Sequence, residues 1–447
     1  MQSTFSAAIA RAPIRPYQWL VLSFGLLVLV IEGIDLQSLS LVTPVILDEW
    51  GIDRALFGPP LAGAMFGMAF GSFFGGVLGD RFGRLNMLFA AAVIFGISTI
   101  LAAYTNDWLQ MTVVRVLGGI GFGAAYPNAM ALASDWVPER FRTYAIAALS
   151  VGIPVGTALS ALIVPELLPG NGWRGTFLIF GVGSVVFGFL MILLVRESPP
   201  FLLANGKPDA ARRSAARVLE GEFELLPEPP PPQQQEGERI GVFHPSNRRL
   251  NWGMGISLSA GLTYAYGILS WTPEFLTSSG FTLDQALDAT FMLGIWGVIG
   301  GASAGYFTRT FGSKAVTVAC AVLGVLVTVA LGLTIDNMSE LPSANERLLA
   351  TVLVAAAGFI MSLVVANYYA MMVAGYPQSC RSGGMGAMLT IARFGGIAMV
   401  TSGGWLLNLA GDSFIAYFAV LTLIAAAFVA AALIVDRQIP PARVGEE

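Results

Sequence analysis

Four charged residues stand in stretches that are otherwise apolar: Glu32, Asp35, Arg115 and Arg393. A charge at the centre of a bilayer costs roughly 2.5–3.5 kcal/mol on insertion scales, so each needs a partner or a task. Glu32 and Asp35 are three residues apart, which on a helix puts both carboxylates on one face about one turn apart. Two carboxylates that close in a dry site repel, and protonating one of them relieves the strain. A group that takes up and releases a proton there is what coupling to a proton gradient requires. The plainer alternative is a static ion pair with Arg115 or Arg393, and both roles can hold in different conformations.

Arg393 lies twelve residues from Arg381, about 18 Å along a helix. Arginine keeps its proton, so it needs an anion at that depth. Either a protein acid supplies it, or a substrate carboxylate does through a bidentate fork. Arg115 opens the run Arg115-Val-Leu-Gly-Gly-Ile-Gly-Phe-Gly123. Glycines so spaced let helices pack closely, and Arg115 fits bracing as well as substrate contact. Tyr264, Tyr266, Trp271, Trp296, Tyr368 and Tyr369 supply aromatic surface, and Gln37, Asn128 and Asn367 supply hydrogen bonds. Aromatic walls with a few polar groups suit a planar ligand, although each of these residues alone also fits ordinary packing.

The elements that carry these residues follow from composition. Hydrophobic residues make up 55% of the 447, charged ones only 12%, and the mean hydropathy is +0.71. Soluble domains carry about a quarter charged residues, so the deficit places the chain in a membrane. Apolar blocks near 20 residues predict spans at 18–46, 56–79, 85–104, 108–133, 143–165 and 173–195. Six more follow at 250–272, 287–308, 314–335, 347–372, 381–407 and 413–435. The first block lacks a cleavage site and is too long for a signal peptide. The fold class expected is an all-α polytopic membrane protein with twelve transmembrane helices in two six-helix bundles. Its parts are a tail at 1–17, bundles at 18–195 and 250–436, a linker at 196–249, and a second tail at 437–447.

The linker holds Lys207, Arg212, Arg213 and Arg217, a short amphipathic segment from Asp209 to Leu219, and a proline run at 227–232. Basic residues gather on one side of the spans, Arg81, Arg84, Arg142, Arg309 and Lys314 among them, so both termini are expected in the cytoplasm of a cell inner membrane. Cys320 and Cys380 form no disulfide framework, the lone His244 reads as a loop residue, and no metal cluster or nucleophile suggests an enzyme. The net charge of −4 gives no sign of a nucleic-acid partner.

The halves echo each other. Gly76-Val-Leu-Gly-Asp80-Arg81-Phe82-Gly83-Arg84 in the first answers Gly305-Tyr-Phe-Thr-Arg309-Thr-Phe311-Gly312-Ser-Lys314 in the second. Asn128, Pro138 and Arg142 recur as Asn367, Pro377 and Arg381 at the same spacing. Duplicated halves suit alternating access about a central site. Asp80 and Arg84 at a glycine-rich turn can pair with Asp135, and with Arg81 and Arg142 they make a candidate cytoplasmic gate.

The first of these loops resembles the signature of the major facilitator superfamily, with Leu85 where a second basic residue is common. Glu32-Gly-Ile-Asp35-Leu-Gln37, the helix from Arg115 through Tyr126-Pro-Asn128-Ala to Asp135, and Tyr376-Pro … Arg381 … Arg393-Phe-Gly395 resemble the aromatic acid:proton symporters. Glu32 stands where aspartate is more usual. The resemblance implies proton-coupled uptake of a benzoate-like or hydroxybenzoate-like acid, with the acids of the first helix and Arg393 essential. It implies no cofactor beyond protons as the coupling ion. The partners expected are a small aromatic acid, protons and the lipid bilayer, with function as a monomer. The rivals are import of a non-aromatic organic anion, a membrane receptor, and an efflux antiporter, the last suggested by Gly152-Ile-Pro154-Val-Gly156.

Overall fold

Each apolar block becomes a helix because a backbone in lipid must satisfy its hydrogen bonds within the segment. The computed structural model describes the chain apart from residues 1, 11–12, 221–223, 228–241, 340, 377–380, 410–412, 436 and 441–447, and apart from the side chains of 2, 73, 143, 147, 150, 373, 381–383, 386 and 429–432. Most of the proline run, Pro377, Cys380 and the Arg381 side chain therefore lie outside the described residues. The long helices are α1 (Pro16–Trp50), α2 (Gly58–Phe82), α3 (Arg84–Ala102), α4 (Trp108–Trp136), α5 (Glu139–Ser150) and α6 (Gly152–Leu194). They continue with α7 (Arg248–Ser278), α8 (Leu283–Phe311), α9 (Ser313–Asp336), α10 (Ala344–Gly375), α11 (Arg381–Asn408) and α12 (Ile415–Ile434).

The fifth and sixth spans differ in detail from expectation. Helix α6 contains both the end of the fifth and the whole of the sixth, turning at Gly172 with φ 64° and ψ 177°. The fifth is interrupted at Val151, three residues before Pro154, whose missing N–H leaves the ladder open there. Counting the two parts of α6 separately, with α5 continuing into the first, the chain has its twelve rods. Among the described residues, seven helices are individually long and apolar enough to cross a membrane, and the bent α2 adds an eighth.

By internal contacts the chain falls into two units. One comprises Met1–Leu36, Gly63–Thr157 and Leu167–Gln233; the other comprises Gln37–Ala62, Ala158–Glu166 and Gln234–Glu447. The division runs through α1 and α6, not through a loop. Within the second unit the C-terminal part of α1 bonds to α7: Gln37 Nε2 donates to the Leu269 carbonyl at 3.3 Å and Ser40 Oγ to that of Ser270 at 2.6 Å.

In the first unit α2 packs on α4 so closely that a Cβ at Gly67 would enter the Val116 carbonyl. A cluster around Trp136 closes one end, where Phe5 and Tyr17 meet its ring edge-on at 5.7 and 5.1 Å. Phe5 opens a short helix, Phe5–Ile9, that was not expected from the sequence. Beside it Gln2–Thr4 and Glu224–Leu226 pair as parallel strands. The amphipathic linker segment is a helix at Pro208–Ala215. In the second unit α8 packs on α10, α7 on α11 and α12, and α9 on α12 and α10.

Candidate functional site

Asp35 and Arg115 are 2% and 3% exposed, so neither charge has water to lean on. They answer each other: Arg115 Nη1 donates to Asp35 Oδ2 at 2.7 Å, and Nη2 to the Asp35 backbone carbonyl at 3.3 Å. The remaining oxygen, Oδ1, lies 2.5 Å from the Thr99 hydroxyl on α3. That hydroxyl is also 2.9 Å from the Phe95 carbonyl. A threonine has one hydroxyl hydrogen and can also accept. With Asp35 ionised, the hydrogen points to the carboxylate. With Asp35 protonated, the acid donates to Thr99, whose hydrogen turns to Phe95. Asp35 thus has hydrogen-bond partners in either state without moving a heavy atom, while its protonation takes from Arg115 the counter-charge it pairs with. Thr99 was not singled out from the sequence, since a lone hydroxyl in an apolar helix leaves no charge signature.

Glu32 is fully buried one turn before Asp35. Between them Gly33 lets α1 cross α6 at backbone contact: a Cβ at Gly33 would strike the Ile153 carbonyl, and one at Gly156 the Val30 carbonyl. The glycine-proline motif is therefore accounted for by packing on the helix that bears both acids.

At the α2–α3 turn, Gly83 adopts φ 105°, open to glycine and strained for other residues. The turn directs Arg84 to Asp135, to the Ala131 carbonyl at 3.3 Å, and to Asp80 at 3.8 Å. Arg81 lies over the Phe82 ring at 5.4 Å, and Arg142, half-buried on α5, stands outside this set of contacts. Glu197, just past α6, completes the cluster by accepting the Leu85 N–H at 2.9 Å and that of Ser198 at 3.0 Å. It caps a helix from 112 residues away, which no local pattern announces.

Burial pushes the Glu197 carboxyl above its usual range, against the backbone bonds and Arg84 that pull it down. The folded protein then holds this proton more tightly than the unfolded chain. Stability falls as pH rises from about 4.5 through the folded value, then levels off. Glu197→Gln is expected to flatten that part of the melting-temperature profile, and Glu197→Ala to cost about 1 kcal/mol as a lost cap. A profile unchanged by the Gln substitution would remove Glu197 as its source.

A family profile described as the Major Facilitator Superfamily matches residues 25–399, most of the chain. The chain belongs to the Major Facilitator Superfamily. The 4-hydroxybenzoate transporter PcaK of Pseudomonas aeruginosa is 30% identical over 96% of this chain and 94% of its own length. A gallate transporter of Pseudomonas putida is 30% identical over 90% of this chain and 88% of its own length. Within the superfamily the chain therefore groups with the 4-hydroxybenzoate and benzoate permeases. Two solved folds superpose over 94% of the chain. One is a bacterial homologue of the human lysosomal transporter Spinster, at TM-score 0.71, 16% identity and 96% of its own chain. The other is a D-xylose-proton symporter, at 0.69, 19% and 97%. This superfamily member is a multi-pass membrane transporter and not an enzyme.

The transporter spends several of its other polar residues on bracing. Asn128 donates to the Gly75 carbonyl at 2.9 Å and to that of Ala124 at 2.8 Å. Its repeat counterpart Asn367 accepts from Thr308 at 2.8 Å and donates to Thr317 at 2.7 Å and the Ser313 carbonyl at 3.1 Å. The matched asparagines thus tie helices together in each half. Tyr264 shares a 2.8 Å hydrogen bond with Thr328, and Tyr368 is buried with its ring stacked 6.0 Å from Phe428. Arg393 is half-buried on α11, while Trp296 on α8 is 45% exposed. Both belong to the second unit.

The same unit contains a second polar cluster that sequence reasoning passed over as loop. Arg54, in a short 3-10 helix after α1, donates to the Asn408 side chain, to the Leu407 carbonyl at 3.1 Å and to Ser278 at 3.3 Å. Asn408 in turn donates to Asp53, which caps that helix. The cluster fastens the loop at 51–57 to the ends of α7 and α11.

Proposed function

We propose that the protein imports a small aromatic carboxylate together with protons across the cell inner membrane, by alternating access and as a monomer with cytoplasmic termini. The observation that carries the coupling is Asp35, buried against one fixed cation and one hydroxyl that serves either protonation state. Glu32, one turn away, is the second candidate for proton uptake. The substrate class is supported by relatives named for transport of 4-hydroxybenzoate, gallate and benzoate.

In this reading, protonation neutralises the acids of α1 and lowers the cost of closing the site. Arg393 accepts the substrate carboxylate, and Trp296 supplies aromatic surface. The turn cluster of Asp80, Arg84 and Asp135, with Glu197 and the nearby Arg81 and Arg142, acts as the cytoplasmic gate. One proton per monoanion makes the cycle electroneutral, and a second adds about 2.3 kcal/mol per 100 mV of membrane potential.

The test is uptake of radiolabelled 4-hydroxybenzoate into proteoliposomes under an inward proton gradient, with aromatic and non-aromatic acids as competitors. Gradient-dependent accumulation blocked by aromatic acids is expected. Accumulation blocked only by non-aromatic anions overturns the substrate class, and extrusion against the gradient overturns the direction. Arg393→Ala is expected to raise the apparent KM roughly tenfold to a hundredfold, the loss of a charge-assisted hydrogen bond. An unchanged KM assigns the carboxylate to another residue.

A further inference from the structure

Helices α11 and α12 both pack on α7 but touch each other little, leaving a groove floored by α7. Its walls are Trp252, Ile256 and Ser259 from α7, Met388 and Ile391 from α11, and Ile424 from α12. Trp252 and Ile391 are 62% and 47% exposed, so apolar surface lines an open channel and not a sealed void. At one end the lining includes Arg248, exposed at the start of α7, and Phe243, 83% exposed in the preceding loop. At the other end it reaches Thr263.

From Arg248 to Thr263 is fifteen residues, about 22 Å along the helix. One leaflet, from mid-plane through the headgroups, is about 20–22 Å thick. The groove therefore begins with a guanidinium and an exposed tryptophan, side chains that favour the membrane–water interface, beside Phe243, and runs mostly apolar for the depth of a single leaflet. The deepest hydroxyl has its proton committed, since Thr263 donates to the Ser259 carbonyl at 2.6 Å. Asn251 is likewise spent, donating to the Val242 carbonyl and accepting from Tyr376. Arg248 makes no ion pair among the described residues, so its charge is free for a headgroup.

We propose that this groove is a binding site for one anionic phospholipid, its phosphate on Arg248 and an acyl chain along α7 between α11 and α12. The matching features are charge at the mouth, apolar walls below it, and a length of one leaflet. A small aromatic acid would use only a fraction of that length.

The test is lipid retention. The intact transporter is equilibrated in mixed micelles containing equal phosphatidylglycerol and phosphatidylcholine, and retained lipid is counted by native mass spectrometry. Wild type is expected to retain one phosphatidylglycerol preferentially. Arg248→Glu is expected to lower that preference at least about fivefold, the factor one basic residue near an anionic surface supplies. Arg249→Glu, an equal charge change at a neighbour outside the groove lining, controls for net charge. Ile391→Trp, which fills the groove below the mouth, is expected to reduce retention of both lipids. Each variant is first shown folded by circular dichroism. The proposal is overturned by equal loss in the Arg248 and Arg249 variants, by no preference in wild type, or by release of the lipid on adding 4-hydroxybenzoate. None of these readings depends on transport, so failure here leaves the proposed uptake function standing, and the reverse.

Discussion

Asp35→Asn is expected to abolish accumulation of substrate against its gradient while leaving exchange of substrate across the membrane measurable. Asparagine keeps the shape of the carboxyl and a group within reach of Thr99, but it can neither bind nor release a proton. For one proton per monoanion, a pH difference of one unit supports about tenfold accumulation, since one unit corresponds to about 1.36 kcal/mol. In the variant that ratio is expected to fall to about one. Counterflow, in which unlabelled substrate inside drives labelled substrate in, needs the conformational cycle but no net proton movement. Its survival separates an uncoupled transporter from a broken one. Glu32→Gln in the same assay tests the second acid: loss of the response to membrane potential alone assigns it a second proton. Undiminished uphill uptake by Asp35→Asn would sink the coupling role of this residue.

The residues behind that expectation were readable in the chain because charges inside apolar runs are expensive and therefore conspicuous. Glu32, Asp35 and Arg115 needed no structure to be noticed. Their arrangement did: the pairing of Asp35 with Arg115 depends on how α1 packs beside α4. The turn at Gly83 was also legible, since Asp80 and Arg84 sit on a motif with a local geometry, and the structure brings Arg84 to Asp135.

Asn128, Asn367 and Tyr264 show the opposite case. In a bundle surrounded by lipid, a helix is apolar toward its neighbours and toward the membrane alike, so the sequence does not disclose its facing. A polar residue inside such a helix fits a ligand or a brace equally. All three have polar atoms committed to neighbouring helices. Thr99, Glu197 and Arg54 were passed over because their partners are far away in the chain.

Arg115→Leu tests the other half of the buried pair, and its effect should be on stability before transport. Removing one member of such a pair leaves the other charge uncompensated, at a cost of about 3–5 kcal/mol. The leucine also removes the bond to the Asp35 backbone carbonyl, so α1 and α4 lose their polar tie at this level. The single variant should therefore unfold at a markedly lower temperature in detergent. Asp35→Asn/Arg115→Leu should recover most of the loss, since a neutral amide bonded to Thr99 leaves no orphaned charge. The coupling across the cycle is expected to be large and favourable, because the two groups are in contact and share no other charged partner among the described residues. Additive losses would mean that Arg115 acts through shape and packing. Asp35 would then owe its stability in the apolar interior to Thr99 and to protonation, and the coupling proton would have to be sought with Asp35 neutral in its resting state.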